Sequence, residues 1–179
     1  MKTKDQLIKA MYELLQKYPI EKITVDMIIE YCDLSSRTSF YRYFQDKYQL
    51  MAMCYISYED KLRKEFVGQE QILEKTLQFM FENKKTFENM FKSEGQDSFV
   101  KFLYADYFHK LKEKYMKARG VTELTVHETY YMELYLSGVV NCLDNWVKKG
   151  MDISPKEMSD IIIESMPDML ITAIKSPTA

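Results

Sequence analysis

Ile23-Thr-Val-Asp-Met-Ile-Ile-Glu-Tyr-Cys-Asp-Leu-Ser-Ser-Arg-Thr-Ser-Phe-Tyr-Arg-Tyr-Phe-Gln-Asp-Lys-Tyr-Gln-Leu50 reads as two short helices and the start of a longer one, joined by polar corners. Thr24 is a helix N-cap, with Asp26 in the first turn where negative charge suits the helix dipole. Val25, Ile28, Ile29 and Cys32 form the apolar face of that helix. Asp33-Leu34-Ser35-Ser36 is a turn, because Asp and Ser bond nearby backbone and Leu34 can tuck inward. Ser35 or Ser36 caps a short helix through Thr38, Phe40 and Tyr41, and Phe40 and Phe44, spaced i, i+4, pack inward. Asp46 caps a further helix from Lys47, with Leu50, Met51, Cys54, Tyr55 and Leu62 on its inner side. Two short helices joined by a turn of about four residues have helix-turn-helix geometry. Such a corner is equally at home in a helical bundle that binds no DNA.

Upstream, Leu7, Met11, Leu14, Leu15 and Tyr18 recur at helical spacing over 3–17, and Pro19 ends that helix. Downstream of Gly68, helices are predicted over 69–82, 84–92 and 96–118, the last closed by Gly120. Residues 125–149 form a long helix, apolar on more than one face, which Gly150 ends. Ser154-Pro155 with Glu157 is a capping box with proline at the first helical position, and Pro167 interrupts the helix it opens.

The 179 residues suit one compact all-α unit: 5 Gly and 4 Pro against 13 Met, 14 Tyr and 10 Phe disfavour a turn-rich β fold. Cys32, Cys54 and Cys142 lie far apart, an odd count without a CxxC pair, so neither a disulfide framework nor a structural zinc site is expected. Cys32 and Cys54 read as small buried hydrophobes. His109 and His127 lack metal-ligand spacing. No nucleophile–histidine pair or glycine-rich phosphate loop points to an enzyme, and no cofactor or metal is expected. Met1-Lys-Thr-Lys-Asp leads into a mixed polar stretch rather than an apolar leader, so the expectation is a soluble cytoplasmic protein. The net charge of −2 says nothing for nucleic acid, but residues 1–50 carry 8 basic against 7 acidic side chains, while the remainder is acidic on balance.

The quoted stretch resembles the DNA-binding signature of the TetR family of bacterial regulators. The match lies in Ile23-Thr24-Val25 before an apolar helix, Ser35-x-x-Thr38, and above all Phe40-Tyr-Arg-Tyr-Phe44-x-Asp46-Lys47-x-x-Leu50. It covers about residues 5–62. Counted from Ile23, the chain has one residue more than the usual family spacing before Phe40-Tyr41, and the expectation is that the turn absorbs it. The C-terminal half resembles the branch that includes regulators of dihydroxyacetone-kinase operons, through Tyr130-Tyr131-Met132-Glu133-Leu134, Ser137-Gly138-Val139-Val140, Trp146 and Ser154-Pro155-Lys156-Glu157-Met158.

The resemblance implies a helix-turn-helix head over 1–47 and a helical effector-binding and dimerisation body over 48–179. Double-stranded DNA is the expected partner. Thr24, Tyr41, Tyr43 and Lys47 are the expected phosphate contacts, and Ser35, Ser36, Arg37, Thr38 and Ser39 lie where bases are read, arginine being able to pair bidentately with guanine. A homodimer through 125–174 would place two heads on a near-palindromic operator. Phe102, Tyr104, Tyr131 and Tyr135 are the expected effector-lining residues. The alternative is a helical interaction module that answers to a partner protein rather than a small molecule.

Overall fold

The computed structural model describes residues 3–34, 36–66, 68–95 and 98–175. These form ten α-helices and one short 3-10 turn, with no strand among the described residues. The architecture is all-α, as the periodicity predicts.

Helix α1 (Thr3–Leu15) buries Leu7, Ala10, Met11, Leu14 and Leu15. Tyr18 does not join that face: the helix ends three residues before it, and the side chain is exposed. Pro19 bars a helical conformation at the residue before it, so the chain turns early into the 3-10 segment Ile20–Lys22. Helix α2 (Val25–Tyr31) opens on Thr24, whose Oγ1 accepts from the Met27 amide at 3.2 Å.

Helix α2 ends in a left-handed closure. Asp33 takes a left-handed conformation (φ 53°), its amide donates to the Glu30 carbonyl, and the Leu34 amide donates to the Ile29 carbonyl. This is a Schellman closure with aspartate where glycine is usual, and half-buried Leu34 supplies the accompanying apolar contact. Helix α3 (Arg37–Tyr41) stays short, with Ser36 as its extended N-cap. Phe40 and Phe44 are buried, with ring centres 6.0 Å apart, and fix α3 against α2.

Helix α4 (Lys47–Glu65) is capped by Asp46, whose Oδ1 accepts from the Gln49 amide at 2.8 Å. It packs along α1 at its head end and touches α5 (Gln69–Glu82) and α7 (Phe99–Arg119) further on. Helix α6 (Lys84–Phe91) bridges α1 and α8 (Val126–Lys148). Helix α8 lies on α7, α9 (Pro155–Glu164) on α5, and α10 (Asp168–Lys175) on α7. Capping boxes at Thr125/Glu128 and Ser154/Glu157 start α8 and α9, and Gly120 and Gly150 close α7 and α8 at φ 64° and 77°. Trp146 is buried, and its indole N–H donates to the Ile153 carbonyl at 3.0 Å.

Candidate nucleic-acid interface and body cavity

Every described head residue expected to meet DNA lies at or near the surface. Thr24, Ser36, Arg37, Thr38, Tyr41 and Tyr43 are exposed, while Ser39 and Lys47 are half-buried. Ser35 lies outside the described residues. The Tyr41 ring stands edge-on to Phe40 at 5.3 Å, so a buried anchor orients an exposed phenol. Among these groups only short α3 and the two helix N-termini at Thr24 and Asp46 supply fixed backbone, and capped N-termini are natural phosphate partners.

Two side chains differ from what their sequence positions suggest. Arg37 turns back onto α2: its Nε donates to Asp26 Oδ1 at 2.6 Å, and Nη2 meets Oδ2. Both groups face solvent, and the guanidinium hydrogen bond holds the Asp26 carboxyl below its ordinary range. Lys47 points into the head, where Nζ donates to the carbonyls of Ile20, Glu21 and Ile23 at 2.9, 3.2 and 3.0 Å. An ammonium has three hydrogens, and these three carbonyls take them. Tyr48 adds a bond from its hydroxyl to Glu21 at 2.8 Å, so the start of α4 is fastened to the 3-10 turn.

The body holds a cavity of about 600 Å³ between α4, α5, α7, α8 and α9, inside the 300–1,000 Å³ typical of small-molecule sites. Tyr135 lines it and ties α8 to α9 by donating to the Ile162 carbonyl at 2.8 Å; burial raises the pKa of its phenol. The other three expected lining residues do not border this cavity. Phe102 belongs to an aromatic cluster with Tyr55 and Phe99, Tyr104 lines a separate recess of about 260 Å³, and Tyr131 faces outward from α8. Sequence reasoning missed Arg63, Lys110, Leu111 and Lys114. Along α7 the cavity takes Tyr107, Lys110, Leu111, Lys114 and Ala118, an i, i+3, i+4, i+7, i+11 stripe, together with Glu113 and Lys117; the stripe is present in the sequence but half polar.

One wall of the cavity carries a charge network. Buried Glu59 accepts from the Tyr55 hydroxyl at 2.9 Å and from Lys110, which also reaches Asp106 at 2.5 Å. Arg63 stands 3.8 Å from Glu59. The Tyr55 and Tyr107 hydroxyls meet at 2.6 Å, joining α4 to α7. Burial pushes the Asp106 carboxyl up even against the neighbouring Lys110. Among the described residues there is no cluster of histidine, cysteine and carboxylate side chains fit for a metal ion, and no helix long and apolar enough to cross a membrane. Cys54 is buried, with a raised thiol pKa, and its sulfur meets the Ile8 carbonyl at 3.4 Å.

Residues 69–168 match the TetR-type family model described as a transcriptional regulator C-terminal region. The chain belongs to the TetR family of transcriptional regulators. Its fold is similar to that of the dihydroxyacetone kinase operon activator DhaS, at TM-score 0.63 and 17% identity, over 99% of this chain and 98% of that one. A TetR-family transcriptional regulator from Streptomyces coelicolor aligns at TM-score 0.55 and 16% identity, covering 97% of this chain and 83% of that one. RolR without ligand aligns at 0.51 and 12%, covering 97% and 98%. No curated protein sequence matches the chain.

Proposed function

We propose that the protein is a sequence-specific DNA-binding transcriptional regulator, acting in the cytoplasm as a homodimer on a near-palindromic operator and controlled by an effector in its body. Residues 1–47 form the DNA head in this reading, residues 48–179 the regulatory body, and α4 links them. The observation that carries it is the head surface: Arg37 and Thr38 of short α3 stand exposed between Tyr41, Tyr43 and two capped helix N-termini, while Phe40 locks the helix from behind. One such helix covers too little of a duplex to be specific, so two heads about one helical turn of DNA apart are needed. In this arrangement Tyr41, Tyr43 and Thr24 position the head on phosphates, and Lys47 acts indirectly by holding the 3-10 turn against α4. The body cavity supports a small molecule rather than a partner protein as the signal.

A footprint on the promoter regions flanking the protein's own gene tests the proposal. Salt-dependent protection of two half-sites related by a dyad is the expected result. Absence of DNA affinity even at low salt, or protection without any sequence preference, rejects it and leaves the interaction-module reading.

A further inference from the structure

The large cavity has two unlike walls. Helices α4 and α7 bring charged side chains to one of them, and those charges are matched. Arg63 and Lys110 both face Glu59, and Lys110 also meets Asp106. Lys114 is engaged as well. Lys117 and Glu113 are exposed on α7, as is Glu70 in the first turn of α5. The four cations, Arg63, Lys110, Lys114 and Lys117, thus stand against four acids, Glu59, Glu70, Glu113 and the Asp106 bonded to Lys110. That side selects no ion by an excess of charge.

The wall from α5, α8 and α9 is different. Beyond Glu70 it is built from Ile72, Leu73, Leu136, Val139, Ile162 and Ile163. Among the described residues its uncharged polar side chains are Thr76 and Tyr135, both buried, and each has its hydrogen committed. Thr76 donates to the Ile72 carbonyl and Tyr135 to the Ile162 carbonyl, each at 2.8 Å. Burial raises the Tyr135 pKa, so the phenol holds that hydrogen. A hydroxyl has one hydrogen and two lone pairs, so both groups offer a ligand acceptor capacity alone. Thr76 keeps its oxygen against its own helix, whereas Tyr135 carries its oxygen across from α8 to α9.

We infer that the cavity takes an uncharged, mainly apolar hydroxy compound, a hydrophobic phenol or alcohol, its apolar body on the α5–α8–α9 wall and its hydroxyl donating to Tyr135 Oη. This deepens, and rests on, the reading that the body is effector-controlled. An ether or ketone would set its lone pairs against those of the wall oxygens. An ion would leave water for apolar side chains that cannot solvate it.

Isothermal titration calorimetry on the full chain without DNA tests the ligand class with 4-pentylphenol, its methyl ether 4-pentylanisole and the anion 4-pentylbenzoate. The phenol should bind about fivefold or more tightly than the ether, which lacks only the donor, and about tenfold more tightly than the anion. Tyr135→Phe should bring phenol and ether to nearly equal affinity. Lys112→Gln, on α7 but outside the cavity lining, should leave their ratio unchanged. If circular dichroism shows Tyr135→Phe misfolded, the wild-type ratios decide alone. Equal binding of phenol and ether, tighter binding of the benzoate, no binding of the phenol, or a ratio that survives in folded Tyr135→Phe overturns the inference. Adding 4-pentylphenol to the footprinted complex separates the two readings: binding that leaves DNA affinity unchanged rejects effector control alone.

Discussion

Lys47 occupies the position where a phosphate-gripping cation was expected, yet its ammonium closes three backbone carbonyls. Removing it takes the Lys47 donor from the partly buried Ile23 carbonyl, while the Ile20 carbonyl keeps the Ile23 amide and the Glu21 carbonyl faces solvent, so the cost is about 1 kcal/mol of stability or more. Lys47→Met should therefore lower the urea midpoint of the whole chain and weaken specific and random duplexes together. Unchanged stability, with only the salt slope of DNA binding falling by about one per head, would return Lys47 to direct phosphate contact. Arg37 poses the opposite question, because Asp26 holds its guanidinium in the free protein. For Arg37 to read a base, a guanine edge would have to take over from that carboxylate. Arg37→Ala should cost about one order of magnitude or more on the cognate site, concentrated at one base pair per half-site, and Asp26→Asn should tighten binding. A panel of single-base operator variants decides it: uniform loss would make Arg37 a phosphate contact. The sequence made the candidate residues legible but not their partners. A lysine or arginine side chain is long enough to choose among several acceptors, and that choice is settled by parts of the chain 11 to 27 residues away.

At the scale of elements, helix ends carry most of the specification. Thr24, Asp46, Ser98, Thr125 and Ser154 each accept an amide from their own first turn, and residue type alone marks Thr24, Asp46 and Ser154 as caps. Ser98 and Thr125 become visible as caps only in the structure, Ser98 lying two residues inside the range the periodicity predicts. The Schellman closure of α2 was hidden for a different reason: aspartate stands at the left-handed position, where glycine would have announced it. Asp33→Gly should stabilise the chain by up to about 1 kcal/mol, since a side chain in that conformation carries a steric penalty that glycine lacks. Loss of stability in urea would mean that the carboxylate itself matters. The cap of α8 responds to acid. Glu128 accepts from the Thr125 amide at 2.7 Å and from the Thr125 and Tyr115 hydroxyls, which holds its pKa down to about 2. A depressed carboxylate adds stability that is complete above its unfolded pKa near 4.5 and is lost as pH falls towards 2. Wild type should thus lose stability over that window relative to Glu128→Gln, and parallel pH profiles for the two would show that the cap contributes nothing through its charge.

Across the whole molecule, the apolar surplus of α8 divides between two destinations. Val139, Leu143 and Trp146 turn into the chain's own core, whereas Val126, Tyr130 and Leu134 remain 69%, 67% and 75% exposed. The sequence pattern disclosed the surplus over 125–149 but not this division, because a helix apolar on several faces does not say which face its own chain covers. The exposed residues recur at i, i+4, i+8, so they form one stripe along the N-terminal half of α8, and Ile161 stands similarly uncovered on α9. Contiguous exposed apolar surface marks an association site, and a two-fold axis through it would bury every such residue twice. At about 1.5–3 kcal/mol for each large apolar side chain withdrawn from water, the paired stripes offer enough to hold two copies together at micromolar concentration. Leu134→Glu would place two carboxylates at that seam without disturbing the chain's own core, because Leu134 already faces solvent. Sedimentation should find the wild-type protein dimeric and Leu134→Glu monomeric, with the same thermal unfolding in dilute solution adjusted for the lost association. The monomer should retain weak, salt-sensitive affinity for a single half-site and lose the tight binding that needs two heads on one duplex. A wild-type monomer, or a Leu134→Glu chain that still pairs and still protects both half-sites, would place the dimer seam elsewhere.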